Sequence, residues 1–131
     1  MVRILVTGSR DLMGPRARAL VETGLLAAAR PLDPSGQAEI TLVHGGAPGA
    51  DYLAGEVASA LGWQVEVHPA HWGLYGKAAG PLRNQRMVDL GADICVAFPI
   101  ATSRGTYDCM KRARSAGIPV TVYDEEEGGA P

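Results

Sequence analysis

Short hydrophobic runs alternate along the chain with longer segments of helical periodicity. Runs rich in β-branched residues predict five strands, at residues 2–7, 40–44, 64–68, 93–98 and 119–123. Several of these runs are apolar at consecutive positions, which is typical of strands covered on both faces. Between them, the clearest helical stripe consists of Ala50, Leu53, Ala54, Val57, Ala58 and Leu61.

Further helical patterns occur at residues 14–29, 81–90 and 106–116. Strands that alternate with helices predict βαβ units and a parallel sheet. We therefore expect an α/β fold: a single doubly wound Rossmann-like domain with about five parallel strands and helices on both faces. This domain is expected to span residues 1–123. Residues 124–131 are acidic and glycine-rich, and they are expected to form a flexible tail.

The composition narrows the possible partners. The 131 residues include 12 Lys and Arg against 14 Asp and Glu, giving a net charge of −2. Because a duplex-binding protein needs surplus cations to displace counterions, nucleic acid is an unfavoured partner. The chain has no apolar run of about 18 residues and no cleavable signal pattern, so we expect a cytoplasmic protein without a membrane partner. Cys95 and Cys109 are expected to be reduced thiols.

The predicted topology alone indicates which loops form a functional site, without reference to any motif. In open α/β sheets, ligands bind outside the carboxyl ends of the strands, where the strand order reverses. Those ends correspond here to residues 7–11, 44–51, 68–81 and 98–106. These four segments contain eight of the 17 glycines and all three histidines of the chain. The sequence therefore predicts a ligand site along this edge.

Two of these loops lead from a strand into a helix start and resemble anion-binding turns. Glycines let the backbone approach a ligand, and the first turn of a helix offers unpaired N–H groups. The candidate ligand-binding residues here are Gly45, Gly46, Gly49, Asp51, Ser103, Arg104, Gly105 and Thr106. The alternative for the loop at residues 44–51 is a tight turn with a capped helix. The alternative for the loop at residues 98–106 is a capped helix with an exposed Arg104.

The other two loops carry further candidates. Residues 7–11 lack the spacing of a dinucleotide fingerprint, which argues against a hydride-transferring dehydrogenase, and the loop at 68–81 is long enough to serve as a lid. The candidates are Gly8, Ser9, Arg10, Trp72, Tyr75, Lys77, Arg83 and Asn84. Arg83 and Asn84 are expected in the first turn of a helix, where a cation implies an anionic partner. The alternatives are a surface turn at Arg10, aromatic packing of the lid against the domain, and an exposed Arg83.

Metal and nucleophilic chemistry have little support. His44, His68 and His71 could meet at the strand ends, but they lack the spacing of a metal motif. No nucleophile-elbow context accompanies a serine or a cysteine. Cys109 shares helical spacing with Ala113 and Ala116, so we interpret it as a core residue. We expect no metal and no cofactor.

Four segments resemble the YspA/YpsA-related branch of the SLOG superfamily, whose Rossmann-like members include the lonely-guy phosphoribohydrolases. The matching segments are TGSRD at residues 7–11, GGAPGAD at 45–51, HWGLYGKAAGPLRNQRM at 71–87 and RGTYD at 104–108. The resemblance implies binding of a nucleotide or nucleotide-derived ligand, by a hydrolase or by a ligand-sensing module. It also implies a homodimer, since phosphoribohydrolase relatives pair through helices beside the site.

The sequence departs from the phosphoribohydrolase pattern, R-K-x-x-M followed by P-G-G-x-G-T-x-x-E. Arg83 and Met87 fit, but Asn84 replaces the lysine, and Cys109 occupies the position of the glutamate. Asp108 lies one residue earlier, a rotation of about 100° around a helix. His71 also stands where relatives of this branch carry an acid. These departures favour a sensor or carrier over a nucleoside monophosphate phosphoribohydrolase that would use Arg83 and Asp108 in N-glycosidic cleavage. Single-stranded nucleic acid binding is a third hypothesis, opposed by the acidic charge balance and the 5% aromatic content.

Overall fold

The computed structural model describes residues 1–100 and 103–123. The strands are β1 (Val2–Gly8), β2 (Ile40–His44), β3 (Gln64–Val67), β4 (Ile94–Phe98) and β5 (Val120–Val122). The helices are α1 (Pro15–Leu32), α2 (Ala50–Ala60), α3 (Trp72–Tyr75), α4 (Ala79–Asp89) and α5 (Arg104–Ser115). The predicted tail at residues 124–131 lies outside the described residues.

The five strands form one parallel sheet in the order β3-β2-β1-β4-β5. Ile4 in β1 pairs with Leu42 on one side and with Ile94 on the other, so β1 is central. The chain moves outward from β1 through β2 to β3, then crosses to β4 on the other side. The strand order therefore reverses between β1 and β4, and such a switch point opens a crevice at the carboxyl edge.

Helices cover both faces of the sheet, as expected. Ile4 and Val6 of β1 pack in the core beneath α1 and α2, which includes Val21 and Val57. Leu5 points the other way, because successive strand residues face opposite sides. It packs in the core beneath α4 and α5. Among the described residues, no helix has both the length and the apolar character needed to cross a membrane.

Cys95 and Cys109 are buried, unpaired thiols in the core beneath α4 and α5. Cys95 is the second residue of β4, and Cys109 faces the sheet from α5. The interpretation of Cys109 as a core residue is therefore confirmed.

The structure corrects the interpretation of the segment at residues 68–81 as a long irregular loop. It contains α3, then a 3₁₀ turn at Gly76–Ala78, and α4 begins at Ala79. Pro81 is the third residue of α4, a position where its missing N–H costs nothing because first-turn amides have no intrahelical acceptor. Arg83 consequently lies in the second turn of α4, not in the first, and the expected conflict with the helix dipole disappears.

Candidate functional site

A cleft of about 950 Å³ opens at the carboxyl edge of the sheet, beside the switch point between β1 and β4. Its walls come from the end of β1, the loop between β2 and α2, the start of α4 and the start of α5. The cleft brings together most of the predicted site residues, namely Gly8, Ser9, Arg10, Gly45, Gly46, Asp51, Trp72, Arg83, Asn84, Ser103, Arg104, Gly105, Thr106 and Asp108.

Three predicted ligand residues do not line this cleft. Gly49 has a φ of +81° and lies against the backbone of Ser9 and Arg10, where a Cβ would collide. The neighbouring Ala50 amide donates to the Ser9 carbonyl at 3.0 Å. Gly49 therefore lets the start of α2 approach the loop that follows β1. Tyr75 and Lys77 are exposed on the short helical turns before α4.

The glycine loop between β2 and α2 satisfies its own amides. The Asp51 carboxylate accepts hydrogen bonds through Oδ2 from the amides of Gly45 at 3.1 Å and Ala47 at 3.2 Å. The intervening Gly46 amide donates to Nδ1 of His44 at 2.9 Å. Three amides that the sequence offered to a phosphate are thus already used by the protein. Asp51 is not a cap of α2 in this arrangement but the centre of the loop.

Asp51 also lines the cleft while being only 6% exposed. Burial raises the pKa of its carboxyl group to about 6, against the opposing effect of the Ala47 and Gly45 amides and of Arg83. The rise follows from the cost of removing a charged carboxylate from water. At neutral pH the folded protein therefore holds a largely ionised carboxylate that is costly to keep charged.

Arg83 braces the same loop from α4. Its Nη1 donates to the Gly45 carbonyl at 2.5 Å and to the His68 carbonyl at 3.3 Å. A Cβ on residue 45 would collide with the guanidinium group, so glycine is needed there for close approach. Sequence reasoning expected an anionic ligand beside this arginine. In the structure Arg83 instead donates to two carbonyl oxygens. These belong to residues that follow β2 and β3, so Arg83 links the ends of these two strands.

Asn84 links Arg83 to α5. The side chain is 4% exposed, accepts from Arg83 Nε at 2.9 Å and donates to the Gly105 carbonyl at 3.2 Å. Its Nδ2 also donates to Asp108 Oδ2 at 3.0 Å, and Arg112 Nε donates to the same oxygen at 2.9 Å. Burial acts to raise the Asp108 pKa, but these hydrogen bonds outweigh it and lower the pKa. Asp108 is thus ionised, and its Oδ2 accepts two hydrogen bonds.

The start of α5 differs from the glycine loop because its amides are not consumed by a cap. Ser103 precedes the helix, but its Oγ accepts from the Ile100 amide at 2.9 Å and does not cap the first turn. Within the described residues, the amides of Gly105 and Thr106 have no hydrogen-bond acceptor. The first turn contains no acidic residue, and the exposed Arg104 adds a positive charge. Helix dipole and free donors both favour an anion there.

Trp72 forms part of the opposite wall. Its ring edge lies over Gly80 at the buried start of α4, while 53% of the residue stays exposed. Trp72 therefore packs against the domain and also lines the cleft, while its contact with a ligand stays a prediction. Aromatic faces of this kind can stack on flat heterocycles.

Sequence reasoning missed several lining residues, including Thr7, Pro69, Ala70, Pro81 and Met87. Thr7 lies at the end of β1, Pro69 and Ala70 follow β3, and Pro81 lies in the first turn of α4, so their location carried a signal; Met87 lies in the last turn of α4. Their side chains are small, apolar or weakly polar, and such residue types do not by themselves indicate a binding site in a sequence. Among residues 1–100 and 103–123, no three His, Cys, Asp or Glu side chains form a group that could hold a metal ion.

Comparison with known proteins agrees with this fold. The model of the YspA, cpYpsA-related SLOG family (YAcAr) matches residues 2–75, more than half of the chain. The chain belongs to this family. It is also 43% identical over 131 residues to the Gene 61 protein of Mycobacterium phage D29, covering 96% of this chain and 99% of the phage protein.

A solved structure shows the same fold. The X-ray structure of TM1055, a structural genomics target, matches with a TM-score of 0.57 over 92% of this chain and 72% of the other. The two sequences are 18% identical. At this identity the similarity supports the Rossmann-like fold alone, and the chemistry of the site has to be argued from its own residues.

Proposed function

We propose that this protein binds a nucleotide or nucleotide-derived ligand in the cleft and acts as a sensor or carrier. The observation that carries the proposal is the start of α5, whose first turn lines the cleft and whose Gly105 and Thr106 amides have no acceptor within residues 1–100 and 103–123. A phosphate group fits these donors, with Arg104 supplying a charge-assisted hydrogen bond. Membership of a SLOG family is compatible with such a ligand.

The remaining walls suit the parts of a nucleotide next to its phosphate. Ser9 and Arg10 lie at the end of β1, and Trp72 offers a partly exposed ring on the α3 side. The cleft therefore combines one cationic, donor-rich end with an aromatic and partly apolar wall. A volume of about 950 Å³ is within the usual range for small-molecule sites.

The same geometry argues against N-glycosidic hydrolysis. Asp108 is the acid nearest to the glutamate position of the phosphoribohydrolase pattern, and two donors already engage its Oδ2. A carboxylate with a lowered pKa is a weaker proton acceptor than an unperturbed one. Arg83 is likewise occupied by carbonyl oxygens. These groups hold the cleft in shape and are poorly placed for acid–base chemistry.

A glycine-to-alanine pair tests the proposed phosphate position. Gly105 lines the cleft, and a Cβ there would meet nothing within 4 Å, so the substitution adds a methyl group to open space beside the free amides. Gly105→Ala should keep or raise stability, since alanine is favoured over glycine in a helix by about 0.5–1 kcal/mol. It should nevertheless weaken nucleotide binding about tenfold, the loss expected when about 1.4 kcal/mol of contacts disappears.

Gly73→Ala is the matched control, because Gly73 is also helical, also has open space at Cβ and does not line the cleft. Isothermal titration calorimetry would use the four ribonucleoside 5′-monophosphates and ribose 5-phosphate as probes. Saturating ligand, at about a hundred times its dissociation constant, should add about 2.7 kcal/mol of stability to the unmodified protein. Equal affinities of the two alanine variants would refute the phosphate position, and no binding by the unmodified chain would refute the function.

A further inference from the structure

A second cavity lies behind the glycine loop, on the face of the sheet covered by α1 and α2. It has a volume of about 590 Å³. Leu12, Met13, Tyr52 and Leu53 supply its apolar walls, and the loop residues Gly46, Ala47 and Pro48 separate it from the cleft, since they line both spaces. We refer to it as the side cavity. The residues that line the side cavity include no acidic group, lysine or arginine.

Besides the exposed Tyr52 hydroxyl, the polar side chain that lines the side cavity is the buried His44. The residue is 6% exposed, at the end of β2. Its Nδ1 accepts a hydrogen bond from the Gly46 amide at 2.9 Å, which fixes the proton of the neutral ring on Nε2. Burial, followed by the charge of Arg83 and the proximity of His68, lowers the His44 pKa and keeps the ring neutral at pH 7.

The Nε2–H group of His44 is therefore a donor in a nearly buried position. Within residues 1–100 and 103–123 no acceptor hydrogen-bonds to it, and since no buried side-chain nitrogen or oxygen there lacks a partner, Nε2 keeps some access to solvent. Gly55 of α2 leaves room beside this nitrogen, because a Cβ there would lie 3.1 Å from it. A donor that keeps access to solvent at the wall of a cavity is available to an acceptor on a ligand. This donor is the second observation, independent of the apolar walls, that points to a ligand.

We propose that the side cavity binds the nucleobase of the ligand whose phosphate occupies the start of α5. This inference rests on the proposed function and adds where the aromatic end lies. A nucleobase is flat, largely apolar on its faces and rich in acceptor atoms at its edge, which matches apolar walls around one fixed donor. The ligand then passes over the loop at Gly46–Pro48, with its charged end in the cleft and its neutral end against His44. The lining contains no lysine or arginine that would favour a second phosphate.

The two exposed walls of the side cavity suit this occupant. Met13 is 69% exposed and Tyr52 61% exposed, although both are large apolar side chains. Exposed thioether and aromatic groups at the rim of an apolar cavity can close over a flat ring. Their burial upon binding would recover the hydrophobic contribution that they lack in the unliganded chain.

A designed substitution separates the two nitrogens of the imidazole. In His44→Asn, the side-chain oxygen can take the place of Nδ1 and accept from the Gly46 amide, while the Nε2 donor is lost. Ribonucleoside 5′-monophosphates and ribose 5-phosphate would serve as probes in calorimetry on the full chain. We expect His44→Asn to weaken the nucleotide about tenfold and to leave ribose 5-phosphate within about twofold of the unmodified protein.

Tyr52→Ala tests the cavity wall without changing the loop, with Tyr107→Ala as the control. Tyr107 is a similarly exposed tyrosine that lines neither space. Tyr52→Ala should weaken the nucleotide but not ribose 5-phosphate, whereas Tyr107→Ala should change neither. Nitrogen-15 spectra of the imidazoles give a direct test on the unmodified chain, which has three histidines. The His44 Nε2 resonance should shift with nucleotide and stay unchanged with ribose 5-phosphate.

The experiments distinguish a failure of this inference from a failure of the proposed function. If ribose 5-phosphate binds at the start of α5 but nucleotide affinity is unaltered in His44→Asn and in Tyr52→Ala, the base lies elsewhere and the inference is wrong. An unshifted Nε2 resonance at saturating nucleotide would overturn it as well, even if His44→Asn failed to fold. If neither probe binds the unmodified protein, the proposed function and this inference fall together.

Discussion

Replacing the buried Asp51 by asparagine should stabilise the unliganded protein at neutral pH. The Asp51 carboxyl group has a pKa of about 6 in the folded protein, against an ordinary value of 3.8. Because one pKa unit corresponds to about 1.4 kcal/mol, the folded state is disfavoured by about 3 kcal/mol once the carboxyl group is ionised in both states. Asparagine removes the charge but keeps an oxygen that can accept from the Gly45 and Ala47 amides.

The sign of the pH dependence follows from the raised pKa. Between about pH 4 and pH 6 the folded state binds more protons at Asp51 than the unfolded state does. The stabilising contribution of the protonated carboxyl is thus complete below the unfolded pKa and is lost as the pH rises through the folded one. Relative to Asp51→Asn, the unmodified protein should lose most of the 3 kcal/mol, about two thirds or more, between pH 4 and pH 6.5.

Urea unfolding of both proteins, measured from pH 4 to pH 8, would give this difference directly. Charges that titrate equally in the two proteins cancel in the comparison. The difference in unfolding free energy should rise between pH 4 and pH 6.5 and then stay constant. A difference that is flat over the whole range, or that falls with pH, would refute the conclusion that burial dominates the environment of Asp51.

Two further predictions concern other acids. Glu66→Gln should have the opposite pH dependence, because hydrogen bonds from Arg3 and His68 lower the Glu66 pKa to about 2. In urea unfolding, the variant should be less stable than the unmodified protein at pH 7, and this difference should shrink as the pH falls below about 4.5. A difference that does not change with pH would contradict the prediction. The unmodified protein should release no base from ribonucleoside 5′-monophosphates, since Asp108 is engaged by Asn84 and Arg112; multiple turnovers in a chromatographic assay, abolished in Asp108→Asn, would contradict it.

The fold was largely predictable because its signals are local and repeated. The five apolar runs and the stripe from Ala50 to Leu61 determine strands, a helix and their alternation, and these imply a parallel sheet. The errors occurred where local signals are weak. The segment at residues 68–81 contains glycines and a proline that normally interrupt helices, yet α3 and the 3₁₀ turn are short enough to tolerate them. The start of α4 was misplaced for the same reason.

The location of the cleft was predictable, but the use of its polar groups was not. Topology alone brings the four strand-end segments together, so candidates as distant as Ser9 and Gly105 do line one cleft. Which amides are free depends on where Asp51, His44 and Ser103 point, and these directions are set by tertiary packing. Two glycine-containing turns that each lead from a strand into a helix therefore differ in the structure. One is filled by a carboxylate and an imidazole, whereas in the other the Gly105 and Thr106 amides have no acceptor among the described residues.

This difference gives the glycine loop a role that neither a simple turn nor a phosphate cradle would have. Asp51, His44 and Arg83 fix it from three sides, through α2, β2 and α4. The loop separates the cleft from the side cavity, and its residues line both. A ligand that spans the two spaces needs a rigid divider, since movement of the loop would change the distance between the α5 amides and the His44 donor. The buried charge of Asp51 lowers stability. We infer that it is present because its hydrogen bonds hold the loop in a preorganised shape between the two spaces.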